Sequence, residues 1–452
     1  MSVTKCLLAT AMACAALGTF SMRADAGEKE ESKKVFDTIA SKLESGGTCY
    51  SVNNYKFLFK NLAHGFAQAQ QMVQQMPMEG AQKGQVMLIM SGIKSLVHGL
   101  GINEIKGIGY SSVITKEPAK GELPLFRNRM YYYLGQNSKN CILWDLNGTK
   151  NRDFTSLKML PKSTVCAASW EFYPDKVWVK IKGILSSFPF PPAAMLSNMA
   201  EAKFSKKTGL QLPVFLKGIG GIGTFVITAG ETKDNKPTMC GMAKIPSKNK
   251  IILTLFKNLY GIKKLNKGYQ PFILKGDEIK ANITPKAKTP KWICPLLRQE
   301  GDYIYIASNE AVLTEIKETE TKGNGLITTP EFKQIAKGIQ LKGTSYLYCS
   351  ELFVKTISDI IATYDENNQN GHVVTKILFG LAKYQNIFTV VSLDKDGILV
   401  TSSSNNDLSE ANSGGTQIAV ASTAIMAGML LPALNSAREK ARRISCTSRT
   451  CS

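Results

Sequence analysis

The sequence predicts an α+β fold in which repeated strand–helix–antiparallel-strand units form sheets packed by helices, followed by one C-terminal transmembrane helix. Two observations predict it. Three stretches share one plan: GTCYSVNNYKFLFKNLAHGF from Gly47, STVCAASWEFYPDKVWVKIKGIL from Ser163 and GTSYLYCSELFVKTISDIIATY from Gly343. Each opens on a small polar residue and a short β-prone run, then passes into helical spacing. Near the end, Ile418 to Ala437 holds no charged residue and is apolar on every helical face. At about 1.5 Å per residue that length covers roughly one hydrocarbon core.

Taken in order, residues 1–26 read as a signal peptide. Lys5 supplies the charge, Cys6 to Phe20 the apolar core and Ala24-Asp25-Ala26 the small-x-small cleavage pattern. Residues 27–401 then form an exported α+β repeat ectodomain, with lobes at 40–150, 151–300 and 301–401. Within each lobe a glycine-marked strand region follows the strand and helix: GLGINEIKGIGYSSVI, FLKGIGGIGTFVITAG and GLAKYQNIFTVVSLDKDGILVTSS. In the last of these, Asp394-Lys395-Asp396-Gly397 predicts a tight turn between two strands. Helical faces are carried by Val86, Ile89, Met90, Ile93, Leu96, Val97 and Leu100, by Val177, Ile181, Ile184 and Leu185, and by Leu352, Ile357, Ile360 and Ile361. YIYIAS from Tyr303 predicts a strand running into Ser308-Asn309-Glu310, a helix cap with an acidic first turn. SFPFPPAAML and PKAKTPKWICP read as loops, and 402–416 as a polar flexible linker.

The segment 417–437 is then the membrane anchor, with Ile418, Val420, Ile425, Met429, Leu430, Leu431 and Leu434 as its apolar side chains. Arg438, Lys440, Arg442 and Arg443 open a basic tail, 438–452, that would stay in the cytoplasm. Signal and tail together predict a single-pass protein of the inner membrane, with the ectodomain in the periplasm.

Two resemblances accompany these residues. MLLPALNSAREKARRISC, 429–446, is similar to the distal part of prepilin-type N-terminal helices. Upstream, SGGTQIAVAS lacks the Gly-Phe-Thr-Leu-Ile-Glu processing site of that family, so the resemblance implies a borrowed anchor more than a filament subunit. Over about residues 40–405, LPKSTVCAASW, KTGLQLPVFLKGIGG, DYIYIASNEAVL and TPEFKQIAKGIQLKGTSYLY resemble a family of bacterial exported proteins of unknown function. That family brings no catalytic residue.

Composition is ordinary for a folded chain, 44% hydrophobic and 20% charged, but the net charge is +21. Lysine dominates, in runs such as KNLYGIKKLNKGYQ and KANITPKAKTPKW. The first expectation is a generally solvated lysine surface; the competing one is a surface that attracts anionic envelope polymers, lipid headgroups or another envelope protein. Nucleic acid is not expected, because no aromatic-basic recognition motif accompanies the charge.

Six of the ten cysteines fall in the exported part: Cys49, Cys141, Cys166, Cys240, Cys294 and Cys349. They allow fifteen pairings, and one or two bridges or buried free thiols are the competing expectations. No HExxH, GxSxG or Walker loop occurs, and the three histidines His64, His98 and His372 show no ligand spacing. Asp365 and Glu366 lack the companions a calcium loop needs. Gly218 to Gly223 satisfies GxGxxG, but the β-branched run after Gly223 predicts a glycine turn between strands instead of a dinucleotide loop. No cofactor, metal or catalytic residue is therefore expected. The function expected is that of a membrane-anchored periplasmic binding or scaffolding protein without enzymatic activity. The alternatives are a pseudopilin-like component of a type II secretion or type IV pilus system, and an envelope hydrolase.

Overall fold

The computed structural model describes residues 26–55, 67–68, 70–75, 80–118, 123–136, 138–187, 191–232, 234–263, 272–281, 295–364 and 386–407. Each of the three similar stretches opens a three-stranded antiparallel meander. The first is β1 (Cys49–Asn54), β2 (Gly107–Lys116) and β3 (Leu125–Tyr133). A two-residue β4 (Arg152–Asp153) precedes the second meander, β5 (Thr164–Phe172), β6 (Gly221–Glu231) and β7 (Pro237–Pro246). The strands β8 (Phe272–Lys275), β9 (Glu278–Ala281), β10 (Leu296–Glu300) and β11 (Tyr303–Ala307) follow. After β12 (Lys342–Gly343), which pairs with β4, the third meander is β13 (Ser345–Cys349), β14 (Ile387–Asp394) and β15 (Gly397–Ser404).

All of these except β4 and β12 join one 13-stranded antiparallel sheet in the order β1-β2-β3-β15-β14-β13-β5-β6-β7-β11-β10-β9-β8. The third meander is thus inserted, reversed, between the first two. This corrects the expectation of separate sheets built by repeated units. The sequence repeats strand, helix and hairpin, but β15 pairs with β3 and β13 with β5 between positions at least 177 residues apart in the chain. Pairings of that span are decided by which edges find each other, not by local pattern.

Alternation along the strands divides the side chains between two faces. One face carries Ala167, Val226, Met242, Leu296, Tyr346, Tyr348, Phe388 and Val390 and is closed by α8 (Glu310–Lys322) and α9 (Pro330–Ile335). Val312, Leu313, Ile316, Phe332 and Ile335 are the buried contributions of those helices. Further along the same face, α1 (Ala26–Ala40) lays Val35 and Ile39 on Tyr131. Gly109 lets it approach: a Cβ there would collide with Ile39. The opposite face carries Leu297, Ile304 and Ile279 under α6 (Leu212–Gly218) and α7 (Ile251–Lys263). On that same side lie α3 (Ile142–Leu146), against Ile398, then α4 (Pro174–Ser187) and α5 (Pro191–Thr208). The remaining long helices are α2 (Gly80–Gly99), which packs on α4, and α10 (Glu351–Tyr364), which rests on β5 to β7.

Local signals do what their chemistry requires. The Asn309 side chain accepts from the Val312 amide at 2.9 Å and starts α8, which ends at Gly323 with φ 65°. Thr329 caps α9 in the same way, with Pro330 at its first position. Asp394 pairs with Gly397 across the β14–β15 turn. Its carboxylate lies 2.7 Å from the Lys42 ammonium, which ties the end of the α1 segment to that turn.

The expected single-pass membrane protein is also corrected. Among the described residues no helix is long and apolar enough to cross a membrane, so they supply no span for the predicted inner-membrane placement and orientation. The 20-residue α2, for example, carries Lys83 and Lys94, whereas a spanning helix must be apolar all round. The segment 417–437 with Ile418, Val420, Ile425, Met429, Leu430, Leu431 and Leu434 lies outside the described residues, as do Arg438, Lys440, Arg442 and Arg443 and the signal peptide up to residue 25.

The strand β15 continues three residues into the stretch read as a linker. Ser403 and Ser404 are buried there. Asn128 accounts for it: it accepts from Ser112 Oγ at 2.6 Å and donates to Ser404 Oγ at 3.0 Å and the Asn406 carbonyl at 3.1 Å. A serine-rich run reads as flexible only while its hydroxyls have no partner.

The sheet carries three buried tyrosines, Tyr131, Tyr346 and Tyr348, and the partly buried Tyr132. Burial pushes the Tyr132 and Tyr348 phenols up to about 12, and raises Tyr131 and Tyr346 further. A raised folded value means the neutral phenol is favoured by folding. That stabilisation is complete below pH 10 and is lost as pH rises toward 12. The expected result is a cooperative alkaline transition in which phenolate absorbance and loss of circular dichroism coincide. Phenolate absorbance that rose in full ahead of the circular dichroism change would contradict these burials.

Candidate functional site

The lysines of this chain are unevenly placed about the sheet. Among described side chains, α4, α5, α6, α7 and the short turn Lys248–Lys250 carry ten lysines and only two acidic residues, Asp175 and Glu201. The helices on the other face, α1, α8 and α9, carry six lysines against eight acidic residues. One helical layer is therefore strongly positive and its counterpart is weakly negative. Helical periodicity produces this: apolar residues such as Val177, Ile184 and Ile251 face the sheet, and Lys176, Lys203, Lys206, Lys207 and Lys257 project outward. Exposed apolar side chains lie among them, with Val179 at 69% and Met195 at 61% exposure.

An open cleft of about 390 Å³ indents this layer where α3 meets α4. Lys139, Asp145, Asp175, Lys176, Val179 and Lys180 line it. The Lys180 ammonium is 2.5 Å from Asp145 Oδ2 and donates to the Asn140 carbonyl at 3.0 Å. Lys176 lies over the Tyr173 ring at 4.6 Å. Asp175 Oδ1 is buried without a hydrogen-bond partner. Nearby on α4 and α5, Glu201 accepts from the Trp178 indole and the Lys182 ammonium, both at 2.9 Å, and these bonds hold its carboxyl below the usual range. Lys182 is thus engaged, whereas Lys176 and the α5 lysines stand in water.

On the opposite face of β5, Glu171 is the most buried carboxylate among the described residues, at 5% exposure. It accepts from Tyr173 at 2.7 Å and Thr149 at 2.9 Å, and its other oxygen lies 3.4 Å from Arg152 Nη1. Arg152 also donates to the Thr344 carbonyl at 2.8 Å, and burial lowers its pKa. The group ties the chain beside β4 to the centre of the sheet.

The cysteines are distributed by the strands. Cys166 and Cys349 face each other on β5 and β13. Cys49 lies on the edge strand β1, Cys240 on β7, and Cys141 is buried before α3. Cys294 lies outside the described residues. Among the described residues no group of histidine, cysteine and carboxylate side chains is placed to hold a metal ion.

The glycines of Gly218 to Gly223 serve packing. They join helix α6 to β6, so the turn lies between a helix and a strand and not between two strands as expected. A Cβ at Gly218 would sit 2.7 Å from Ile251, one at Gly223 would sit 2.5 Å from the Trp170 ring, and Gly221 has φ 144°. No helix starts after the motif to receive a pyrophosphate.

No protein-family model, curated protein or solved structure matches this chain.

The lysine runs that stand out in the sequence, KNLYGIKKLNKGYQ and KANITPKAKTPKW, fall largely outside the described residues. Sequence reasoning misses the basic layer because its lysines alternate with apolar residues along successive helices between residues 174 and 263 and form no long run. Their common spacing, polar on one helical stripe with lysine favoured over glutamate, is the signal that marks it.

Proposed function

We propose that the protein acts by binding, without chemistry of its own, and that the lysine-bearing layer of α4 to α7 docks an anionic polymer. The observation that carries this reading is the difference in charge between the two helical layers of one sheet. A lysine surface serving solubility alone would have no reason to favour one side. The broad, shallow form of the cleft suits an extended chain lying across it better than a small enclosed molecule. Among the described residues Lys203, Lys206 and Lys207 of α5 form no salt bridge, and on their flexible stems they meet successive charges without fixed geometry.

The test is binding of the full chain to fluorescently labelled heparin, with duplex DNA as the comparison polymer. Binding should weaken at least about tenfold between 50 and 200 mM salt, as counterion release requires. The substitution Lys203→Glu/Lys206→Glu/Lys207→Glu should weaken it by a similar factor, and Lys29→Glu/Lys33→Glu/Lys34→Glu on α1 should not. Absence of salt-dependent binding, or equal loss from both triple variants, would refute the reading. Stronger binding to DNA than to heparin would reassign the ligand class.

A further inference from the structure

The three meanders each begin on a strand that carries one cysteine: Cys49, Cys166 and Cys349. Inversion of the third meander sets its first strand, β13, against the first strand of the second, β5. In that register Cys349 is the direct partner of Cys166, and their sulfurs lie 2.9 Å apart. Directly opposed residues of an antiparallel pair hold their Cα atoms about 4.5–5.5 Å apart. A disulfide spans about 4.4–6.8 Å, so the backbone already has the separation the bond needs.

From this juxtaposition we propose that Cys166 and Cys349 are a redox modification site, closing to a cross-strand disulfide that fastens the second and third meanders at the middle of the sheet. The proposal rests on the strand register and the facing sulfurs, independently of any polymer bound by the lysine layer.

The two thiols differ in exposure: Cys166 is buried and Cys349 half-buried. Either can donate to the other sulfur across the contact. The thiolate is the reactive form, and the more exposed Cys349 meets a reagent first. With a small-molecule disulfide as oxidant, Cys349 gives up its proton and its thiolate attacks one sulfur of that disulfide, releasing a first small thiol. Cys166 then gives up its proton and attacks the Cys349 sulfur of the mixed disulfide, releasing the second small thiol. Two protein thiols become one disulfide, and one external disulfide is reduced to two thiols. Cys349, only half-buried, leaves the pair within reach of such a reagent.

The experiment equilibrates the folded full chain with oxidised and reduced glutathione at a series of ratios, alkylates it under native conditions and maps its peptides without reduction. The expected product is a Cys166–Cys349 cross-linked peptide, two hydrogens lighter than its parts, with Cys141 and Cys240 in their own separate peptides. Reversal by a reducing agent should restore two alkylatable thiols. Cys349→Ser should abolish the cross-link and leave Cys166 as a mixed disulfide with glutathione or as a free thiol. The proposal is overturned if both peptides stay uncross-linked at every ratio, if Cys166 pairs with another cysteine, or if the cross-link forms only once the chain is unfolded in urea.

Discussion

Phe332→Ala should destabilise the protein by about 3–5 kcal/mol, the usual cost of removing a fully buried phenylalanine. Phe332 is 2% exposed and sits edge-on between two aromatic rings, with centroids 5.6 Å from Tyr348 and 5.2 Å from Phe388. Those rings belong to β13 and β14, so one side chain of the short α9 anchors the third meander from above. Neither strand can move to fill the void, because each is hydrogen-bonded on both sides within the sheet. Chemical denaturation followed by tryptophan fluorescence should show a lower midpoint with an unchanged slope, while Phe332→Leu loses distinctly less. A loss below about 1 kcal/mol for the alanine variant would mean that α9 does not close the core as described.

A second large effect is expected at the buried ion pair. Arg152→Met should cost about 3 kcal/mol or more, because it leaves the Glu171 carboxylate in the sheet with only Tyr173 and Thr149 as partners. The double variant Arg152→Met/Glu171→Gln should recover part of that loss, since the penalty comes from an uncompensated charge and not from a lost attraction. Unfolding free energies of the wild type, both single variants and the double variant complete the cycle. Additive single effects would show that the two groups do not interact, and that Arg152 matters only through its bond to the Thr344 carbonyl.

Much of the local structure is legible in the residues. The Asn309 cap, the Asp394–Gly397 turn and the strand from Tyr303 follow from side-chain chemistry within a few positions. The β-branched run after GxGxxG forms a strand as its residues require, although a helix and not a strand precedes the motif. Ser404 misleads for a definite reason: its partner, Asn128, lies 276 residues away. Arg152 and Glu171 draw no attention because neither sits in a local pattern.

Sequence alone determined three strand–helix–hairpin units, each led by a strand with its own cysteine, because alternation and helical spacing act over neighbouring residues. Tertiary structure alone decided that the units share one sheet and that the last is inserted backwards between the others. It alone therefore brought Cys349 to Cys166 and set the lysines of α4 to α7 together on one side of the sheet. The physical reason is that an open strand edge offers the same row of amide and carbonyl groups to any other edge. Which two edges join is settled by how the apolar faces of the whole chain are buried together.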